Sequence, residues 1–173
     1  MEHLKKTRHS MTAIGLIPTH HSNEEVADMI DECGWADGFD YSQIKILARH
    51  TSAFKAEEGV AVVREGVRES FMGLILKGRV NIVKQDSKKE DITVAQLGPG
   101  KTFGEMAMID SEVRSASVIA EKPSTVLIVT QDSFFSLADE NPKFGMNLMM
   151  RIAKVISQRL RQTSGKLIDF LDT

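Results

Sequence analysis

The spacing of apolar positions changes several times along this chain, and the changes divide it into segments. Residues 1–21 show no sustained period and carry Lys5, Lys6, Arg8 and the histidines His3, His9, His20 and His21. Such a stretch buries too little apolar surface to order itself, and a mobile tail is expected. Helical spacing begins at Ser22, where Glu25 three residues later completes a capping box. Val26, Met29, Ile30 and Cys33 then form one apolar stripe, and Gly34 supplies a stop. Asp40 with Gln43 is a second capping box, stapled by Phe39 and Ile44, and opens a helix that turns Ile44, Leu47 and Ala48 inward and ends near His50. Residues 22–51 therefore read as two helices appended to whatever follows.

From residue 52 the pattern becomes that of strands. Val60–Val63, Phe71–Leu76, Val80–Val83 and Ile92–Leu97 are short runs rich in β-branched residues, separated by turn material at residues 57–59, 64–66, 77–79, 86–91 and 98–100. Ser117–Ala120 and Thr125–Val129 continue the series on either side of a turn expected at residues 121–124. Short strands at this spacing predict an α+β fold whose centre is a β-roll, a jelly-roll-like barrel, over residues 52–141.

Helical spacing returns at Asp132, which is expected to cap a short helix bearing Phe134, Phe135 and Leu137. Asn141-Pro142 then opens a long helix over residues 142–173, since proline at the first helical position loses no hydrogen bond. Met149, Ile152, Ile156, Leu160, Thr163, Leu167 and Phe170 recur at spacings of three and four, with Lys154, Gln158, Arg159, Arg161 and Lys166 off that seam. A seam of this length predicts a two-fold homodimer through the helix; packing of the whole seam on the chain's own roll is the alternative.

Composition narrows the function. With 42% hydrophobic and 27% charged residues and a net charge of −2, the chain has an ordinary globular make-up and no broad electrostatic reason to bind DNA or a membrane surface. The lone Cys33 cannot form an internal disulfide, no apolar run approaches a membrane span, and a cytoplasmic location is expected. His20 and His21 are adjacent and lack neighbouring ligands at metal spacing, so no metal site is expected. Between Phe54 and Val129 there is no histidine, which argues against a metal-dependent barrel enzyme, and no nucleophile–base pair is evident.

The stretch that carries chemistry is Phe103-Gly104-Glu105-Met106-Ala107, followed by Arg114-Ser115-Ala116-Ser117. A Gly-Glu pair at the mouth of a helical turn and an arginine before the next strand can hold a small anion through backbone amides and a guanidinium, with a carboxylate beside it for a sugar hydroxyl. A surface ion pair between Arg114 and Glu105 is the plainer alternative, worth at most about 1 kcal/mol.

The order of roll, short helix and long helix, with this cassette inside the roll and glycines at 59, 66, 78 and 100, resembles the cyclic nucleotide-binding domain family from roughly Phe54 to Asp172. Within it the bacterial catabolite activator type is most similar, matched by Gln162-Thr163-Ser164, Lys166-Leu167 and Phe170-Leu171-Asp172. The resemblance implies that Arg114 pairs with the cyclic phosphate, that amides near Glu105, Met106 and Ala107 and the hydroxyl of Ser115 add donors, and that Gly104 lets the backbone approach. It implies that Glu105 accepts from the ribose 2′-OH, with Phe103 and Ala116 part of the cassette, and that Ile82, Val94 and Leu97 line the wall beside ribose and base. It places Thr163 and Ser164 at the exocyclic edge of the base, from opposite subunits of a dimer. The implied ligand is cAMP, with cGMP the alternative because Ser115 is intermediate between the two preferences; no other cofactor is implied.

In the catabolite activators a DNA-reading winged helix follows the Phe-Leu-Asp ending, whereas this sequence stops at Thr173. A sensor without its own DNA output, signalling through a partner protein and without catalysis, is therefore expected. The competing expectation is a ligand-free scaffold on the same fold.

Overall fold

The structure, a computed structural model, describes residues 15–171. The expectations for residues 1–14, and for Asp172 and Thr173, fall outside it. Its elements in order are β1 (Ile17–Pro18), α1 (Asn23–Glu32), α2 (Tyr41–Arg49), β2 (Ser52–Ala56), β3 (Ala61–Val63), β4 (Phe71–Gln85), β5 (Asp91–Leu97), β6 (Thr102–Phe103), α3 (Glu105–Asp110), β7 (Ser117–Thr130), α4 (Gln131–Glu140) and α5 (Pro142–Leu171).

The seven strands form one antiparallel sheet in the order β1-β2-β7-β4-β5, with β3 on β7 and β6 on β4. The sheet rolls up without closing, so β5 remains an edge. The Phe71–Leu76 part of β4 and the Val126–Val129 part of β7 carry apolar residues on both faces because each face has its own core. Phe71, Ile75, Val126 and Ile128 point into the roll with Phe54, Val62 and Phe103. Met72, Leu74, Leu127 and Val129 point outward to a second core built with Ile30, Ile44, Leu47, Phe134, Leu148 and Ile152 from the helices. Alternation along a strand thus turns one continuous apolar run into two cores.

Both capping boxes form. Glu25 N–H donates to Ser22 Oγ at 3.2 Å and Ser22 N–H to Glu25 Oε2 at 2.7 Å. Gln43 N–H donates to Asp40 Oδ1 at 2.9 Å and Asp40 N–H to Gln43 Oε1 at 3.1 Å. The helices they start are not an outlying layer, because Val26, Ile30, Ile44 and Leu47 share the outer core with α4 and α5. Arg151 on α5 strengthens that union, donating from Nη1 to Asp37 O at 2.9 Å and from Nη2 to Trp35 O.

Four expectations are corrected. The tail does not extend to residue 21: β1 pairs with Phe54 and Lys55, Leu16 is buried in the inner core, and the Thr19 hydroxyl donates to Ala53 O at 3.1 Å. Residues 77–79 and 121–124 are not turns but matching irregularities within the continuous strands β4 and β7, whose register shifts between Ile75 and Val80. There Gly78 has φ +93°, and a Cβ on it would stand 2.6 Å from Ser124 Cα, so both strands bend together at one corner of the roll. The cap of α4 is Thr130, whose Oγ1 accepts from Ser133 N–H at 3.1 Å, rather than Asp132.

The seam of α5 divides. Phe144, Leu148 and Ile152 are buried against the chain's own core, with Met149 and Ile156 packed beside them. From Leu160 onward the described apolar side chains are uncovered: Leu160 is 67% exposed, and Leu167, Ile168 and Leu171 are exposed as well. Among the described residues no helix is long and apolar enough to cross a membrane.

Candidate functional site

Gly104 sits between β6 and α3 with φ +76°, a conformation glycine adopts without cost. A Cβ there would stand 2.4 Å from Arg114 Nη1 and 2.8 Å from Phe71 O, so the position also requires the absence of a side chain. The turn it makes opens α3, and the amides of Glu105, Met106 and Ala107 are those that a helix start leaves without internal acceptors.

Arg114 is held by the segment leading into β4, through Val67, Glu69 and Phe71, and by the turn at Gly104. It is 3% exposed. Its Nη1 donates to Gly104 O at 3.2 Å, and its guanidinium lies 4.1 Å from the Phe71 ring centroid. Glu69 Oε2 stands 3.9 Å from Nε, near enough for charge attraction and too long for a hydrogen bond. Its main chain is fixed too, with Arg114 N–H donating to Val67 O at 2.9 Å beside the Arg68–Val113 bridge. Nε and Nη2 are nevertheless buried with no hydrogen-bond partner. Burial pulls this guanidinium below the ordinary arginine value, opposed by Glu69 and Glu105, and burial pushes the Glu69 carboxyl up against the pull of Arg114. Buried cationic donors without acceptors are costly, and an anion beside them would supply what they lack.

Glu105 is also buried, at 2% exposure. Its two oxygens are taken separately: Thr102 Oγ1 donates to Oε1, and Arg159 Nη1 on α5 donates to Oε2 at 2.7 Å. Arg159 Nη2 also donates to Thr102 O. The same guanidinium therefore ties the long helix to both the carboxylate and the backbone of the cassette.

These groups line one open cavity of about 650 Å³ between the roll and α5. Ile82, Val94, Leu97, Phe103, Gly104, Glu105, Met106, Ala107, Arg114, Ser115, Ala116 and Thr163 all border it. Ser164 does not border it in this chain; it lies at helical spacing with exposed Leu160, Leu167 and Leu171. Sequence reasoning missed Lys84, Arg159, Gln162 and Lys166, which also border the cavity. The signal was present: Arg159, Gln162, Thr163 and Lys166 recur at three and four residues, a polar stripe along the cavity side of α5. Arranged in this way, the site offers a fixed cation and amides for one anionic group, a buried carboxylate for a hydroxyl, and an apolar wall for a flat ring. Among the described residues no group of three or more His, Cys, Asp or Glu stands in metal-binding geometry.

Residues 53–141 match the model of the cyclic nucleotide-binding domain. The cyclic AMP receptor protein of Thermus thermophilus is 28% identical over 110 residues, covering 64% of this chain and 49% of that protein. A crystal structure of a cyclic nucleotide-binding domain from Methylobacillus flagellatus superposes with a TM-score of 0.78 at 25% identity, covering 89% of this chain and 88% of that one. The catabolite activator protein of Thermus thermophilus superposes with a TM-score of 0.70 at 23% identity, over 80% of this chain and 62% of that one. This chain spans half or less of the length of the curated relatives it matches.

Proposed function

Because this chain belongs to the cyclic nucleotide-binding domain family, we propose that it senses a cyclic nucleotide, cAMP by first reading, and passes the signal to a partner protein without catalysing a reaction. The observation that carries the reading is the pair of buried, unpartnered donors on Arg114 beside an open cavity. A cyclic phosphate bears one negative charge shared over two exocyclic oxygens that such donors can take, with the α3 amides adding to them. Glu105 accepts from the ribose 2′-OH, while Ile82, Val94 and Leu97 cover the sugar and base.

Coupling follows from where the walls come from. The phosphate and sugar contacts belong to the roll, whereas Arg159, Gln162 and Thr163 belong to α5. A ligand that touches both in only one arrangement favours that arrangement by its difference in affinity. The uncovered stripe of Leu160, Leu167 and Leu171 is the dimer face in this reading, and Ser164 on that stripe reaches the cavity of the second copy. The cAMP preference rests on the likeness of Thr163-Ser164 to the catabolite activators and on the similarity to the cyclic AMP receptor protein of Thermus thermophilus; cGMP is the second reading, left open by Ser115, which is intermediate between the two preferences.

Mass spectrometry of nucleotide released from the purified protein tests the proposal, together with calorimetric titration by cAMP and cGMP. One molecule of cyclic nucleotide per chain is expected. Failure of both to bind at millimolar concentration would leave the ligand-free scaffold as the better account.

A further inference from the structure

Of the two side chains that hold the Glu105 carboxylate, only one belongs to the roll. Arg159 reaches it from α5 on a long side chain that is 39% exposed, where the helix is losing its cover. Thr102 reaches Oε1 from three residues away and is itself buried. Its backbone has little freedom, because β6 pairs Thr102 with Leu74 and Phe103 with Gly73, and the Phe103 ring occupies the space a Cβ on Gly73 would need. Branching at Cβ further limits the directions the threonine hydroxyl can take.

We propose that Thr102 is a positioning residue for sugar recognition. Its hydroxyl donates to Oε1 and keeps the Glu105 carboxylate turned toward the cavity, so that a lone pair faces the ligand's 2′-OH whether or not α5 is docked. A carboxylate has more acceptor sites than its two present donors fill, so the ligand hydroxyl joins them rather than displacing them. This inference rests on the reading of Glu105 as the ribose acceptor, and the test separates the two.

Dissociation constants for cAMP and 2′-deoxy-cAMP are measured by calorimetry in the wild type and in Glu105→Ala, Thr102→Val and Thr102→Ser. The wild type is expected to prefer cAMP, and Glu105→Ala to bring the two ligands to nearly equal affinity. Thr102→Val keeps the side-chain volume and is expected to cut the preference by roughly three- to tenfold, the effect of one hydrogen bond. Its affinity for the deoxy ligand should stay within about twofold of wild type by the same argument, and Thr102→Ser should restore most of the preference. Thr102→Ala replaces the valine variant if that one does not fold. An unchanged preference in Thr102→Val, with loss in Glu105→Ala, overturns the role of Thr102 and leaves the ribose reading standing. Equal weakening of both ligands makes Thr102 a packing residue and also overturns it. An unchanged preference in Glu105→Ala overturns both readings.

Discussion

Arg159 donates to Glu105 at 2.7 Å across 54 residues of chain, and this contact is where the long helix meets the buried carboxylate of the cavity. Further along α5, Leu160, Leu167, Ile168 and Leu171 are uncovered, so the cation fastens the helix just where its hydrophobic anchoring gives out.

Replacing Arg159 with glutamine removes the charge from Glu105 Oε2 while Thr102 keeps Oε1. Because Arg159 is 39% exposed, the cost is expected to be about 1–2 kcal/mol of folding stability rather than that of a fully buried pair. Urea denaturation measures it. Amide exchange over residues 157–171 should accelerate in the variant; unchanged exchange would mean that Arg159 does not hold the helix.

Arg114→Ala removes the guanidinium with the unpartnered buried donors. Loss of a charge-assisted contact is worth about 1.5–3 kcal/mol, so cAMP affinity should fall by about 10–100-fold. Calorimetry decides it, and an affinity equal to wild type would take Arg114 out of the phosphate site.

The uncovered half of α5 bears on assembly. A double change of Leu160 and Leu167 to aspartate puts charge on the stripe that the second copy covers in the proposed dimer. Sedimentation velocity is expected to show a dimer for the wild type and a monomer for the variant, with unaltered far-ultraviolet dichroism. A monomeric wild type at tens of micromolar (roughly the range in which weak dimers form) would contradict the proposed interface.

Tyr41 is the single tyrosine, so tyrosinate absorbance reports it alone. Its hydroxyl donates to Asp28 Oδ1 at 2.5 Å, and this hydrogen bond, followed by burial and the neighbouring carboxylates, pushes its pKa from 10.0 up to about 12. A raised folded value means that the contribution to stability is complete below pH 10 and fades as pH rises toward 12. Spectrophotometric titration should place the midpoint near 12, and Asp28→Asn should bring it back toward 10. A midpoint near 10 in the wild type would deny the hydrogen bond.

Features whose parts lie close together in the chain were legible without coordinates. Ser22 with Glu25 and Asp40 with Gln43 are three residues apart, and capping needs nothing more distant. The cassette from Phe103 to Ala116 was legible for a similar reason, since a tight turn, a helix start and an arginine follow one another within a short span. Longer-range outcomes were not. Residues 77–79 and 121–124 look like turns in isolation, and they become one shared bend only because Gly78 packs on Ser124.

By itself the sequence determined the helices, most of the strands and the cassette residues that border the cavity, because these depend on local periodicity and on neighbours a few positions away. The tertiary structure alone decided which half of α5 lies on its own core and which lies bare. It also decided that Arg159 closes on Glu105, and that Thr102 supplies the carboxylate's other donor. Charged residues beside an apolar seam have the same spacing whether they face water or a cavity, and only the folded position of the roll distinguishes the two.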